Sequence, residues 1–166
     1  MGMTAMKPVL RRGNAADHDA LGLLMHAAVH GPGSPYRAAQ RQAWIAAPRS
    51  GPDWDARLSG QTIILAEQDD HPVGFMTLAP PDCVDFAFIH PDWQGCGLFR
   101  RLYQALEDHA RETGIPALRV HASLQARPAF AAMGFAVTAQ ETVTIGDQSL
   151  ARFAMEKSLP PRQRAD

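Results

Sequence analysis

The sequence predicts a mixed α/β fold, a sheet of about seven strands with about four helices, on three observations. The first is the stretch from Ile89 to Gly114. There an apolar run ends at His90-Pro91, a loop Gln94-Gly95-Cys96-Gly97 follows, and a long amphipathic pattern starts at once, so it reads as strand, glycine loop, helix. The second is that strand-like runs separated by turn residues lie on both sides of this unit, which gives antiparallel pairs early and late in the chain. The third is a half-buried strand after the long helix, which makes that helix a parallel crossover.

Taken in order, Val9 to Arg11 follows Pro8 and reads as a short first strand. Asn14 is a good N-cap for a helix to about His30, whose apolar face is Ala20, Leu21, Leu24 and Ala28 and which Gly31-Pro32-Gly33 ends. Ser34 can cap a second helix, with Pro35 at its first position, through about Ala47. Asp53 to Leu58 fits a turn of helix closed by Ser59-Gly60. Thr62 to Ala66 and Val73 to Leu78 are strands around a turn at Gln68 to Pro72, and Pro80-Pro81 breaks the second of them before Val84 to Ile89. In the long helix Leu98, Leu102, Ala105, Leu106 and Ala110 share one face, and Arg100, Arg101, Gln104, Glu107, Asp108, Arg111 and Glu112 share the other. Gly114 stops it, with Pro116 just beyond. Leu118, Val120 and Ala122 then alternate with Arg119 and His121. Ala126 to Met133 is a short helix ended by Gly134, and Phe135 to Ile145 and Leu150 to Lys157 are strands around Gly146-Asp147. Residues 7–159 thus form a single domain, with flexible ends expected at 1–6 and 160–166.

Length and composition narrow the class. A chain of 166 residues with 46% hydrophobic residues can bury one sizeable core. Sixteen basic against 17 acidic residues leave a net charge of −1, which argues against nucleic-acid or anionic-membrane partners. Cys83 and Cys96 make neither a disulfide framework nor a zinc set, and the seven histidines show no metal spacing, so no metal is expected. No apolar run approaches the roughly 20 residues of a spanning helix. With no signal peptide visible either, a cytoplasmic location is expected.

The glycine loop has a chemical use. A helix N-terminus presents unpaired N–H groups and about half a positive charge, and glycines let a phosphate come close to the backbone. The loop is not a dinucleotide fingerprint, because Arg100 stands where the third glycine belongs, and it lacks the Gly-Lys-Ser/Thr ending of a P-loop.

The series H-P-D-W-Q-G-C-G-L at 90–98, H-A-S at 121–123, A-R-P-A-F-A-A-M-G-F at 126–135 and M-E-K at 155–157, in this element order, resembles the GCN5-related N-acetyltransferases (GNATs), small bacterial members above all. The resemblance runs from about Leu10 to Leu159. It implies a GNAT-like mixed sheet with a splayed central strand pair. It implies an enzyme, an acyl-CoA-dependent N-acyltransferase that moves acetyl directly from acetyl-CoA to an amine of a small molecule or a protein. Gln94, Gly95, Cys96, Gly97, Leu98 and Phe99 match the family's pyrophosphate loop, and Phe88 and Ile89 match the strand end whose main chain pairs with pantetheine. Ser123 matches a small polar residue beside the pantetheine arm, and Arg127 and Phe130 fall on the short helix along the cofactor. Two positions depart from the family. Phe99 stands where Gly or Ala is usual, so either its ring points away from the phosphates or the loop is altered. Phe130 stands where a tyrosine often serves as general acid, which leaves Ser123 or water to protonate the thiol. A non-catalytic acyl-CoA sensor, and a protein-interaction domain in which the loop is only a turn, are the alternatives. An open sheet edge also allows a homodimer.

Transfer to an amine needs a base. Asp85 is the first candidate, because a charge interrupts an apolar strand there. His121 is the second, because imidazole exchanges protons near neutrality. His90, Tyr103 and Cys96 read as structural or solvent-facing residues. Of the aromatics in the N-terminal half, Trp44 reads as packing and Trp54 as a residue lining the acceptor pocket. Arg37, Arg41 and Arg49 could meet an acidic acceptor.

Overall fold

The computed structural model describes residues 7–161. Along the chain run β1 (Val9–Arg12), α1 (His18–Val29), α2 (Ala38–Trp44), α3 (Pro52–Ser59), β2 (Thr62–Gln68), β3 (His71–Ala79), β4 (Cys83–Ile89), α4 (Leu98–Glu112), β5 (Ala117–Ser123), α5 (Arg127–Ala132), β6 (Ala136–Ile145) and β7 (Gln148–Ser158). The seven strands form one sheet in the order β1-β2-β3-β4-β5-β7-β6, and only β4 and β5 pair in parallel.

The period-two pattern of the strands sorts their side chains onto two helix layers. Ile63, Leu65, Phe75 and Phe86 go to one face, where they meet Leu21, Leu24 and Met25 of α1 and Trp54 and Leu58 of α3. Ile64, Ala66, Met76, Leu78, Leu118 and Val120 go to the other, beneath Leu98, Leu102, Leu106 and Ala110 of α4 and Phe130 of α5. The four α4 residues recur every fourth position, which is why that helix lies flat on the sheet. Its end is a Schellman turn: Gly114, at φ +78°, donates to the Arg111 carbonyl, and Ile115 donates to that of Ala110. The β2–β3 hairpin closes through Asp69 and Asp70, both left-handed, as a two-residue turn of the primed type requires.

Several expectations shift. Asn14 does cap the first helical segment, its side chain accepting from Ala16, but that segment opens as a 3-10 turn, Ala15–Asp17, before α1. The second helix starts at Ala38 rather than at Pro35. Residues 34–37 are a turn instead, with Ser34 Oγ accepting from the Tyr36 N–H and the Tyr36 hydroxyl pinned to β7, donating to the Ala151 carbonyl at 2.7 Å. Of the expected flexible ends, 1–6 and 162–166 lie outside the described residues. Pro160 is tied down, its carbonyl accepting from Arg111.

Two irregularities in the middle of the sheet place the site. Met76 faces Ala87 and Leu78 faces Val84, so β4 holds one residue more than β3 between these pairs, a bulge at Asp85 and Phe86. The Phe86 N–H, left over by the bulge, donates to the buried Thr77 Oγ1 at 3.0 Å. On its other side β4 pairs with β5 only at Cys83–Arg119 and Val84–Val120. Beyond that point β4 stays bonded to β3 as far as Ile89, β5 stays bonded to β7 as far as Ser123, and the two strands part.

Thr77→Val keeps the shape and removes the acceptor for the Phe86 amide. A buried unsatisfied N–H costs about 1–3 kcal/mol, so the urea midpoint should fall accordingly. An unchanged midpoint would mean that this hydroxyl does not hold the bulge.

Candidate functional site

The site is built around the parted strands. The His90 N–H donates to the Val73 carbonyl, so the two-residue alternation turns the main-chain groups of Phe88 toward β3 as well. Those of Ala87 and Ile89 turn the other way, into the gap. In agreement, the Ile89 carbonyl accepts from the Gln94 side chain rather than from β3. The Phe88 ring lines the site, and the main-chain groups that face the gap are those of Ile89, which the sequence reading named, and of Ala87, which it did not.

The glycine loop lies at one end of the gap. Gly95 and Gly97 sit at φ +75° and +84°, where a side chain is strained, and a Cβ on either would meet no protein atom within 4 Å. No side chain caps α4. Its first turn bonds only from Arg101 N–H to the Gly97 carbonyl, so the amides of Leu98, Phe99 and Arg100 stay open, at the positive end of a strongly amphipathic helix. Phe99 turns its ring away from the loop, edge-on to Phe130 at 5.1 Å between centroids. Gln94, Gly95, Gly97, Leu98 and Phe99 line a cavity of about 410 Å3 that runs along α5 to Ala129 and Met133. Cys96 does not line it: its thiol is exposed and donates to the Trp93 carbonyl. Arg127 lines neither this cavity nor the next, and its guanidinium stacks over Phe153 at 4.7 Å.

A second cavity of about 240 Å3 lies between the α1 layer and β5–β7. It shares Trp44, Ala87, Phe88, Ser123 and Ala126 with the first, so the two meet at the gap. Asp85 and His121 both line it, and their surroundings differ. Asp85 accepts from Arg57 Nε and Nη2 at 3.0 and 2.8 Å and from Gln61 Nε2 at 2.6 Å. Burial opposes its ionisation, but the hydrogen bonds from Arg57 and Gln61 win and hold the carboxyl below the usual carboxylate range. Both oxygens are committed, and the group is a poor proton acceptor. His121 has Nδ1 3.3 Å from Glu141, whose carboxylate also accepts from Arg152 at 2.8 Å. A carboxylate on one ring nitrogen leaves the other free to take a proton. Ser123 Oγ accepts from the Ala126 N–H at 3.1 Å, and its own hydrogen is free to be donated. Phe130 is buried, edge-on to Phe135 as well as Phe99.

The aromatic assignments change places. Trp54 is buried against Phe86, its indole donating to the His18 carbonyl, and lines neither cavity. Trp44 lines both, between Tyr36 and Phe88. The Tyr36 hydroxyl also accepts from the Leu124 N–H at 2.9 Å, so one phenol ties the end of β5 to β7. Burial raises that phenol above the usual tyrosine value, against the pull of the Leu124 amide.

Comparisons with known proteins agree with this geometry. Residues 36–159 match a family model described as an acetyltransferase (GNAT) domain. The fold superposes on a GCN5-related N-acetyltransferase from Rhodopseudomonas palustris with a TM-score of 0.84 and 33% identity, over 96% of this chain and 100% of that one. It also superposes on YncA from Salmonella typhimurium, solved with its cofactor acetyl-CoA (TM-score 0.65, 24% identity, 97% and 99% covered). A third is the GNAT phosphinothricin acetyltransferase of Sinorhizobium meliloti in complex with acetyl-CoA (TM-score 0.71, 17% identity, 93% and 89% covered). Among curated proteins none matches. No helix among the described residues is long and apolar enough to cross a membrane.

The Asp85–Arg57 pair predicts a pH signature. A depressed folded value means that the pairing stabilises the fold above the unfolded carboxyl value of about 4 and fades as pH falls through the lower folded value. Asp85→Asn should lower the urea midpoint at about pH 7, and the difference from wild type should shrink as pH falls below about 4. A gap of constant size over that range would mean that the pair carries no net stability.

Proposed function

The chain belongs to the GNAT acetyltransferase family and is an acyl-CoA-dependent N-acetyltransferase, and from that premise we propose how its residues divide the work. The observation that carries the reading is the parting of β4 and β5 beyond Val84 and Val120, with one cavity on each side of the opening. The residues present suit acetyl-CoA. Open amides at the start of α4 suit a diphosphate, the gap suits an extended polar arm, and an apolar lining along α5 suits the rest. When bound, acetyl-CoA supplies an acyl group activated as a thioester.

In this reading the N–H groups of Leu98, Phe99 and Arg100, with the loop from Gln94 to Gly97, hold the diphosphate. The Ile89 main chain pairs with the pantetheine arm as a neighbouring strand would. The Ala87 N–H faces the opening between the cavities and donates to the carbonyl oxygen on which charge develops, a fixed donor that needs no reorganisation. His121, oriented by Glu141, takes the proton of the incoming amine, directly or through water. Ser123 donates toward the departing sulfur, the role that Phe130 cannot fill. Asp85 holds Arg57 in the acceptor cavity and is not the base.

Three variants test this division. His121→Gln should cut kcat by about 10²–10⁴ with unchanged coenzyme A affinity, as thiol release on an amine panel would read. A full-rate variant would remove His121 from the mechanism. Gly97→Asp should abolish coenzyme A binding in calorimetry, while Gly97→Ala, which brings only the strain of about 1–2 kcal/mol for a left-handed residue, should still bind. Equal affinity in both would put the diphosphate elsewhere.

A further inference from the structure

The cations of the second cavity do not balance. Arg57 is matched by Asp85, and Arg152 by Glu141. Arg49 lines the same cavity with neither a hydrogen bond nor an ion pair to any described residue. Its guanidinium carbon lies 5.9 Å from the centre of the Trp54 ring. Burial first, and then the nearby positive charge of Arg57, lower its pKa from the usual arginine value, and the Asp85 carboxylate offsets this only in part.

Its position is built in. The Arg49 carbonyl rests on α1 at Gly22, so closely that a Cβ there would come within 1.9 Å of the oxygen. Only glycine allows that approach, and it fixes the backbone from which Arg49 reaches the cavity. Met25, Trp44, Val143, Ile145 and Leu150 give the same cavity an apolar part of its wall. A guanidinium presents a planar fork that fits a carboxylate on two points. Left unpaired in a half-buried place it is unfavourable, and an incoming anion removes that penalty.

We propose that the acceptor is an amine that also carries a carboxylate, with an apolar body, as in an apolar amino acid, and that Arg49 is the residue that binds the carboxylate. This rests on the acceptor lying in the second cavity, as argued above. The arginine sets the acid at the α1 side and leaves the amine to face Ala87 and His121. The Arg57–Asp85 pair beside it is already neutral, so it shapes the wall without competing for the acid.

The test is calorimetric titration of the coenzyme A-loaded protein with matched amines: L-leucine against isoamylamine and L-leucine methyl ester, and L-phenylalanine against phenethylamine. The acids should bind at least about tenfold tighter, Arg49→Gln should erase the difference, and Arg49→Lys should keep part of it. Neutral amines binding as tightly as the acids, or a preference that survives Arg49→Gln, would overturn the proposal. Coenzyme A affinity in each variant checks that the fold is intact, and the wild-type panel decides by itself should a variant not fold. Thiol release on the same panel is a separate readout. Acids that bind with the expected preference but release no thiol would sink the roles given to Ala87 and His121 and leave the carboxylate site standing.

Discussion

Two parallel strands that stop bonding half-way along a sheet leave main-chain groups facing each other across a gap, and the rest of this molecule depends on keeping that gap open. Buried N–H and C=O groups without partners are costly, so such an opening persists only where something else satisfies them. Here β4 is held to β3, and β5 to β7, over their full remaining lengths, so closing the gap would break bonds on both outer sides. The bulge at Asp85 and Phe86 changes the course of β4 at the place where it leaves β5, and Thr77 satisfies the amide that the bulge frees. Gln94 then reaches back from the loop to the Ile89 carbonyl.

The two helix layers turn this opening into a route between two cavities. On one face the fourfold recurrence of leucine and alanine fixes α4 on the sheet, so its open N-terminal amides stand at the mouth of the gap. On the other face α1 and α3 pack against Phe75 and Phe86, while the chain between them carries Tyr36, Trp44 and Arg49 to the second cavity. The Tyr36 hydroxyl and the Gln40 side chain both bond to β7 carbonyls, which anchors α2 and the turn before it to the sheet. Phe99 illustrates how a departure in the loop is absorbed. A large ring in place of a small residue is turned into the aromatic cluster with Phe130 and Phe135, so the amides beside it remain accessible.

What the sequence settled by itself was whatever depends on near neighbours in the chain. The leucine spacing of α4, its glycine stop, the turns at Asp69-Asp70 and Gly146-Asp147, and the left-handed glycines of the loop follow from periodicity and backbone freedom, which act within a few residues. The surroundings of the two candidate bases, the residues of β4 whose main chain faces the gap and the aromatic that lines it depend on the tertiary structure. Asp85 reads as an isolated charge in a strand until Arg57 and Gln61, more than twenty residues away, close around it. His121 gains its carboxylate partner only when β7 brings β6 near enough for Glu141 to reach its ring. Trp44 and Trp54 are alike in sequence terms, and the packing of α3 on Phe86 buries one while the turn pinned by Tyr36 leaves the other at the junction. Each of these outcomes depends on which distant side chain arrives to pair with a charge or cover a ring, and no local pattern records that.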